Sequence, residues 1–422
     1  MNHTGQSIGI LVGGGPAPGI NSVIGAATIR SILGGVSVIG ILDGFKWIME
    51  GDSSKVKALS IEEVSRIHFH GGSYLGIARA NPTTNAAYLD KALAVLLKLN
   101  LSGLITIGGD DTAFSALKLE QMAGGRLRIV HVPKTIDNDL DLPHGIPTFG
   151  FQTARHIGVD LVKNLMVDAQ TTSRWYFVVT MGRKAGHLAL GIGKAAGATL
   201  TLIPEEFSGR PVPLATLADI LTGAVLKRLK MGRPDGVAIL AEGLVECVDP
   251  KDLKGLADVD RDQHGNLRLA EVNLGDLLKH EVEQRLKTFG IKASIIATNI
   301  GYELRCADPI PYDMEYTRDL GYCAAQFLLD GGNASMVSIQ NGRLTPIPFA
   351  QILDSATGRM RIRMVDVQSE SYQIARRYMI RLSHEDLEDP NEVTQYAAML
   401  KLSPETFRAQ FGYLLADERK PR

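Results

Sequence analysis

Apolar residues in this chain gather in short continuous runs instead of alternating with polar ones. The runs are Ile8-Gly9-Ile10-Leu11-Val12, Leu104-Ile105-Thr106-Ile107, Ile129-Val130-His131-Val132, Trp175-Tyr176-Phe177-Val178-Val179, Val237-Ala238-Ile239-Leu240 and Ser294-Ile295-Ile296-Ala297, and they stop at or near Gly, Pro or Asp. Runs of this length read as strands buried on both faces, the condition of a parallel sheet. Helix-like stretches such as Thr112 to Met122 and Lys184 to Ala196 lie between them. The alternation predicts βαβ units and an α/β chain with open, doubly wound sheets. Ligands of such sheets bind beyond the carboxyl ends of the strands, so the loops that follow these runs hold the chemistry.

At 422 residues, and roughly 150 residues per domain, the chain has room for two domains, at most three. Lys plus Arg (45) nearly cancels Asp plus Glu (46), which argues against a nucleic-acid polyanion as the main partner and leaves room for a local basic site. Cys247, Cys306 and Cys323 lack metal-site spacing and cannot form a disulfide framework, so a reducing cytoplasm is expected. Met1 to Ser7 lacks the features of a signal peptide, and no apolar run approaches the ~18 residues of a spanning helix; no membrane association is expected. The polar stretch Asp249 to Arg268 reads as a surface insertion or hairpin. The charged segment from His384 onward, with apolar residues at helical spacing around Tyr396 to Leu400, reads as packing on the body or on a neighbouring subunit.

Four loops stand out. Gly13-Gly14-Gly15-Pro16-Ala17-Pro18-Gly19 follows the first run and precedes a helix from Ile20, a setting that lets a ligand anion approach backbone and helix end. It matches neither the dinucleotide fingerprint nor the Lys-containing phosphate loop, and a plain tight turn also accounts for it. Gly108-Gly109-Asp110-Asp111-Thr112 puts two adjacent carboxylates at a strand end, where one suits magnesium; for Asp111, helix capping is an equal alternative. Pro133-Lys134-Thr135-Ile136-Asp137-Asn138-Asp139 supplies two carboxylates and a cation after a third strand, the components of a base-assisted phosphoryl transfer or simply solvated loop charge.

The fourth loop is Met181-Gly182-Arg183. With Arg174, Arg79 and Arg305 it offers guanidinium groups suited to phosphate, and Glu242 in Ala241-Glu242-Gly243 suits a sugar hydroxyl. Taken singly, each is more simply structural. His68 and His70 lack a third ligand nearby. Trp47 and Trp175 read as packing residues, and Cys306 has no nucleophile context.

Together these segments resemble the phosphofructokinase family. G-G-G-P-A-P-G-I-N, G-G-S-Y-L-G-I-A-R, G-G-D-D-T, P-K-T-I-D-N-D, M-G-R, A-E-G and Y-E-L-R occur in family order between Gly13 and Arg305. ATP-dependent members typically carry G-G-D-G and P-G-T-I-D-N-D. Asp111 and Lys134 at the two divergent positions resemble the pyrophosphate-dependent branch. The physics agrees: a carboxylate 4 Å from ATP's α-phosphate would repel it by about 4 kcal/mol at an effective dielectric near 20. Lys134 offers positive charge to a small donor that has no adenosine to supply binding energy.

The resemblance implies two doubly wound, mostly parallel-sheet domains with the active site in the cleft between them. A donor domain of 1–148 plus about 304–355 and a sugar-phosphate domain of 149–303 plus about 356–422 are expected from the same likeness. It implies reversible phosphoryl transfer from pyrophosphate to the 1-hydroxyl of fructose 6-phosphate. Asp137 is then the base, Asp110 the Mg2+ ligand, and Lys134, Asp111 and Asp139 the charge arrangement around it, with Gly14 and Arg79 at the donor. Thr135, Ile136, Asp137, Met181, Gly182, Arg183, Glu242, Tyr302, Glu303, Leu304 and Arg305 would surround the sugar phosphate, Glu242 on hydroxyls and Arg305 on the 6-phosphate. Arg174 matches an arginine donated across a subunit boundary, which implies a homodimer or homotetramer. Many members have Arg where Ile296 stands, so sedoheptulose 7-phosphate is an alternative substrate. An ATP-dependent kinase and a catalytically silent sugar-phosphate-binding subunit are the competing readings, which Lys134 with Asp111, and the set Asp110, Asp137 and Asp139, oppose respectively.

Overall fold

The computed structural model describes residues 7–143, 145–207, 211–252, 273–354 and 357–415. Most of the stretch read from sequence as a surface insertion lies outside them. The chain divides into two compact units; among the described residues, one comprises 7–157 and 302–363, the other 158–252, 273–301 and 364–415.

The first unit is built on five strands, β1 (Ser7–Val12), β2 (Ser37–Ile41), β3 (Val56–Leu59), β4 (Leu101–Gly108) and β5 (Arg128–Pro133), with the short strands Ser335–Met336 and Ile347–Pro348 completing a seven-stranded sheet. Its order runs Ile347–Pro348, Ser335–Met336, β5, β4, β1, β2, β3. Every pairing is parallel except those of the two edge strands, β3 and Ile347–Pro348. Alternate residues serve opposite faces, as the pleat requires. Ile8, Ile10, Val12, Ile105, Ile107, Val130 and Val132 join one buried cluster, with Ile20, Val23 and Ile24 from the helix Ile20–Leu33. Leu11, Leu104 and Ile129 join the other, beneath Leu93 and Leu96 of the helix Ala86–Lys98. Helices on both faces explain why these strands read as unbroken apolar runs.

The second unit carries an all-parallel sheet of β6 (Trp175–Thr180), β7 (Leu200–Leu202), β8 (Gly236–Ala241) and β9 (Ile295–Ile300), in the order β7-β8-β6-β9. The helices His187–Ala196, Leu214–Lys230 and Leu274–Thr288 accompany it. The C-terminal segment is helical, as its spacing predicts, and packs on this unit. Tyr396 stacks on Phe407 at 5.3 Å between centroids, and the Tyr413 hydroxyl donates to Asp219 at 2.6 Å.

Candidate active site

In the first unit the sheet order places β5, β4 and β1 side by side, and their register makes them end together. Val12 lies opposite Ile107, and Gly108 opposite Pro133. Three of the four loops singled out from sequence therefore emerge at one edge of the sheet. Main-chain bonds hold them there: Gly13 N donates to Ile107 O at 2.9 Å and Lys134 N to Gly108 O at 2.8 Å. A fourth strand-like contact pairs Gly13 with Ala78, and Gly14 N donates to Ala78 O at 3.3 Å, so the exposed Arg79 joins the same edge.

The glycines here are steric requirements. A side chain on Gly13 would stand 2.5 Å from Thr112 Oγ1, and one on Gly108 would stand 2.3 Å from Thr112 Cβ. Gly14 takes φ +83°, open to glycine and costly for most other residues. Lys134, almost fully buried, reaches across to the first loop and donates from Nζ to the Gly15 carbonyl. A positive charge thus lies against the glycine loop. Asp110 and Asp111 occupy the first turn of the helix Asp110–Ala123, whose N-cap is Gly109 with no side-chain cap. Asp111 is therefore not the cap; both carboxylates lie at the positive end of the helix.

Asp137 and Asp139 are buried, and the loop that carries them is tied internally. Asp137 N donates to Thr135 Oγ1 at 3.0 Å, and Thr148 Oγ1 donates to Thr135 O at 2.7 Å. Among the described residues no group of three or more His, Cys, Asp or Glu is assembled as a metal cage. A hard cation that keeps waters and shares phosphate oxygens needs only one or two carboxylates, so half-buried Asp110 fits Mg2+ in that manner and not as a preformed protein site.

Arg305 ends the short helix Tyr302–Arg305. Its guanidinium carbon lies 3.6 Å from where a side chain on Gly15 would begin, and 5.1 Å from the ring centroid of Tyr302, itself 65% exposed. The residue expected on the sugar's 6-phosphate thus belongs, within its own unit, beside the donor loop. Glu303 is exposed, whereas Leu304 is wholly buried, side chain and main chain alike. Ile136 is buried as well.

In the second unit β6, β8 and β9 also end level, Thr180 opposite both Ala241 and Ile300. Buried Glu242 follows β8, and one of its carboxylate oxygens accepts Gly182 N at 3.0 Å and Arg183 N at 2.7 Å. Glu242 therefore shapes the Met181-Gly182-Arg183 turn, a role the sequence did not suggest beside the expected hydroxyl contact. Arg183 adopts the left-handed region, φ 51°. Arg174 precedes β6 and so stands at the opposite end of that strand from Met181, roughly 20 Å away at 3.3 Å per residue. Among the described residues its buried Nε has no hydrogen-bond partner and lies 4.0 Å from the Asp168 carboxylate.

Two residues near the edge of the first sheet went unnoticed in the sequence. His131 sits inside an apolar run, where a polar residue at a fully buried strand position was the available signal. Arg363 is more than two hundred residues from the loop it touches, and no local pattern marks it.

Known proteins share this chain's sequence and fold. A family model described as Phosphofructokinase matches residues 7–328. The pyrophosphate–fructose 6-phosphate 1-phosphotransferase of Thermotoga maritima is 53% identical over 413 residues, which cover 97% of this chain and 98% of the relative. That of Naegleria fowleri is 49% identical over 418 residues, covering 97% and 96%. Among solved structures, a pyrophosphate-dependent phosphofructokinase from Nitrosospira multiformis superposes with a TM-score of 0.67 at 17% identity, over 88% of this chain and 90% of that one. One from Marinobacter aquaeolei gives 0.66 at 16% identity, over 94% and 92%.

Proposed function

This chain belongs to the phosphofructokinase family, and from that premise we propose that it transfers a phosphoryl group reversibly between pyrophosphate and the 1-hydroxyl of fructose 6-phosphate. The observation that carries the choice of donor is the reach of Lys134 to the glycine loop, with Asp111 on the neighbouring helix turn. The cation favours a compact, highly charged diphosphate. The carboxylate disfavours the additional phosphate of a nucleotide by about 4 kcal/mol at 4 Å and a dielectric near 20.

In this reading Asp137 accepts the proton of the attacking hydroxyl, held in place by the Thr135 hydroxyl on its amide. Gly14, Lys134 and Arg79 orient the donor, and Asp139 balances charge beside the base. Asp110 would hold Mg2+, whose contribution when bound is to neutralise charge on the transferring phosphate. Thr135, Met181, Gly182, Arg183, Glu242, Tyr302 and Arg305 orient the sugar phosphate, with Ile136, Glu303 and Leu304 beside them in the same loops. The enzyme is a homo-oligomer in which Arg174 serves the neighbouring subunit's sugar phosphate. No described helix is long and apolar enough to cross a membrane.

The deciding assay offers purified protein, Mg2+ and fructose 6-phosphate with either pyrophosphate or ATP. Turnover with pyrophosphate and little with ATP is expected; the reverse would refute the donor. Asp111→Gly together with Lys134→Gly should admit ATP, and unchanged ATP binding would dispose of the electrostatic account. Asp137→Ala should lower kcat by about 10²-fold or more while sugar binding persists, and near-normal turnover would reject Asp137 as base.

A further inference from the structure

The segment Met360 to Arg363 runs antiparallel beside the loop that follows β5. Leu140 pairs with Ile362, Arg363 N donates to Asp139 O at 2.8 Å, and Arg361 meets the Asp141 carboxylate at 2.8 Å. At its end the Arg363 guanidinium is received by a ring of acceptors. Nε and Nη2 each donate to Asn138 O at 3.1 Å, and Nη2 also to Asn138 Oδ1. Nη1 donates to Ile146 O at 2.8 Å and, at 3.4 Å, to Leu142 O. Asn138 stands between Asp137 and Asp139 in the left-handed region, φ 57°, and its Oδ1 also accepts Thr148 N at 3.0 Å.

Asn enters that conformation more readily than most non-glycine residues, and here the bonds to its carbonyl and its Oδ1 select it. Here one planar group with five N–H donors meets several acceptors at once, which the single ammonium of lysine cannot reproduce. Asp139 and Asp141 lie close enough to offset part of the cost of burying the charge.

We propose that Arg363 is a positioning residue for phosphoryl transfer: it locks Asn138 in its left-handed turn and so holds Asp137 and Asp139 in register for the reaction. The inference rests on the proposed function in its kinetic readout alone, since the clamp is also observable in the protein without substrate.

Wild-type enzyme, Arg363→Ala and Arg363→Lys are compared with pyrophosphate and fructose 6-phosphate, and by amide hydrogen exchange without ligand. Displacement of a reacting group by about 1 Å costs about a hundredfold, so Arg363→Ala should lose that much in kcat, with both KM values within about threefold of wild type. Millimolar methylguanidinium should restore part of the rate, and Arg363→Lys should restore little despite its charge. Exchange should accelerate in residues 135–148 and hardly elsewhere. A kcat within about threefold of wild type, a loss confined to KM, or acceleration spread evenly over the first unit would overturn the clamp. If Arg363→Ala does not fold, the same criteria apply to Arg363→Lys. If wild type does not turn over pyrophosphate, the proposed function falls, and the clamp stands or falls on whether exchange changes at 135–148.

Discussion

His131 has its chemistry dictated by packing. Fully buried on β5, it places Nδ1 2.8 Å from Thr106 Oγ1 and Nε2 2.9 Å from Gly108 O. A carbonyl accepts only, so Nε2 carries the proton and Nδ1 accepts from the threonine hydroxyl. Burial pushes the imidazole down to about 3, against the hydrogen bond to Gly108 O, and the charge of Lys134 pushes the same way as burial. The folded value lies below the unfolded one, so the unfolded chain takes up the proton first. The neutral imidazole's contribution to stability is complete above about pH 6.5 and is lost as pH falls toward 3, by up to about 1.4 kcal/mol per unit. His131→Gln keeps a donor for Gly108 but cannot titrate. Urea midpoints at pH 7.5 and 5 should fall more for wild type than for the variant; parallel losses would exclude His131 as the titrating group. From the sequence His131 was one letter in an apolar run, and its partners became evident only when β4 lay beside β5.

At the scale of strands and helices, the six apolar runs all correspond to strands. Those missed were β2, β3, β7, the short strands Ser335–Met336 and Ile347–Pro348, and the two-residue pair Ile339–Gln340 and Arg343–Leu344. β2 contains Gly40, β3 is an antiparallel edge strand with the polar Lys57, and β7 has three residues. Such segments bury too little continuous apolar surface to announce themselves. The junction of β4 with the helix after it depends on a close approach. Thr112 fills the space between Gly13 and Gly108, and a methyl at Gly108 would meet its Oγ1 at 2.4 Å. Gly108→Ala should destabilise the protein by about 1–3 kcal/mol through overpacking. Adding Thr112→Ala should make the double variant more stable than the two single losses summed. Strict additivity in denaturant unfolding would show that the two positions do not share this space.

Arg174 bears on the scale of the whole molecule. It stands at the amino end of β6 while Met181-Gly182-Arg183 follows the carboxyl end, and Ile296, opposite Tyr176, lies near that same amino end. No rearrangement of a side chain spans that strand. If Arg174 serves a neighbouring subunit, Arg174→Ala should raise KM for fructose 6-phosphate about tenfold or more and leave the pyrophosphate KM nearly unchanged. Mixing subunits of Arg174→Ala with subunits of Asp137→Ala should then give, at low fructose 6-phosphate, more turnover than the two variants summed. Failure of such mixtures, despite demonstrated subunit exchange, would assign Arg174 a purely internal role.

What the chain's order of residues decided was the class of fold, the strand ends that carry chemistry, and the residue types offered there, because buried parallel strands and the loops after them leave local, periodic traces. It also carried the family, through motifs whose spacing is fixed by those loops. Only the folded molecule decided which loops share an edge, that Lys134 reaches Gly15, that Glu242 braces the Met181 turn, and that Arg363 grips Asn138. These depend on strand order and on contacts between residues up to hundreds of positions apart, and no pattern within a short window of sequence records them.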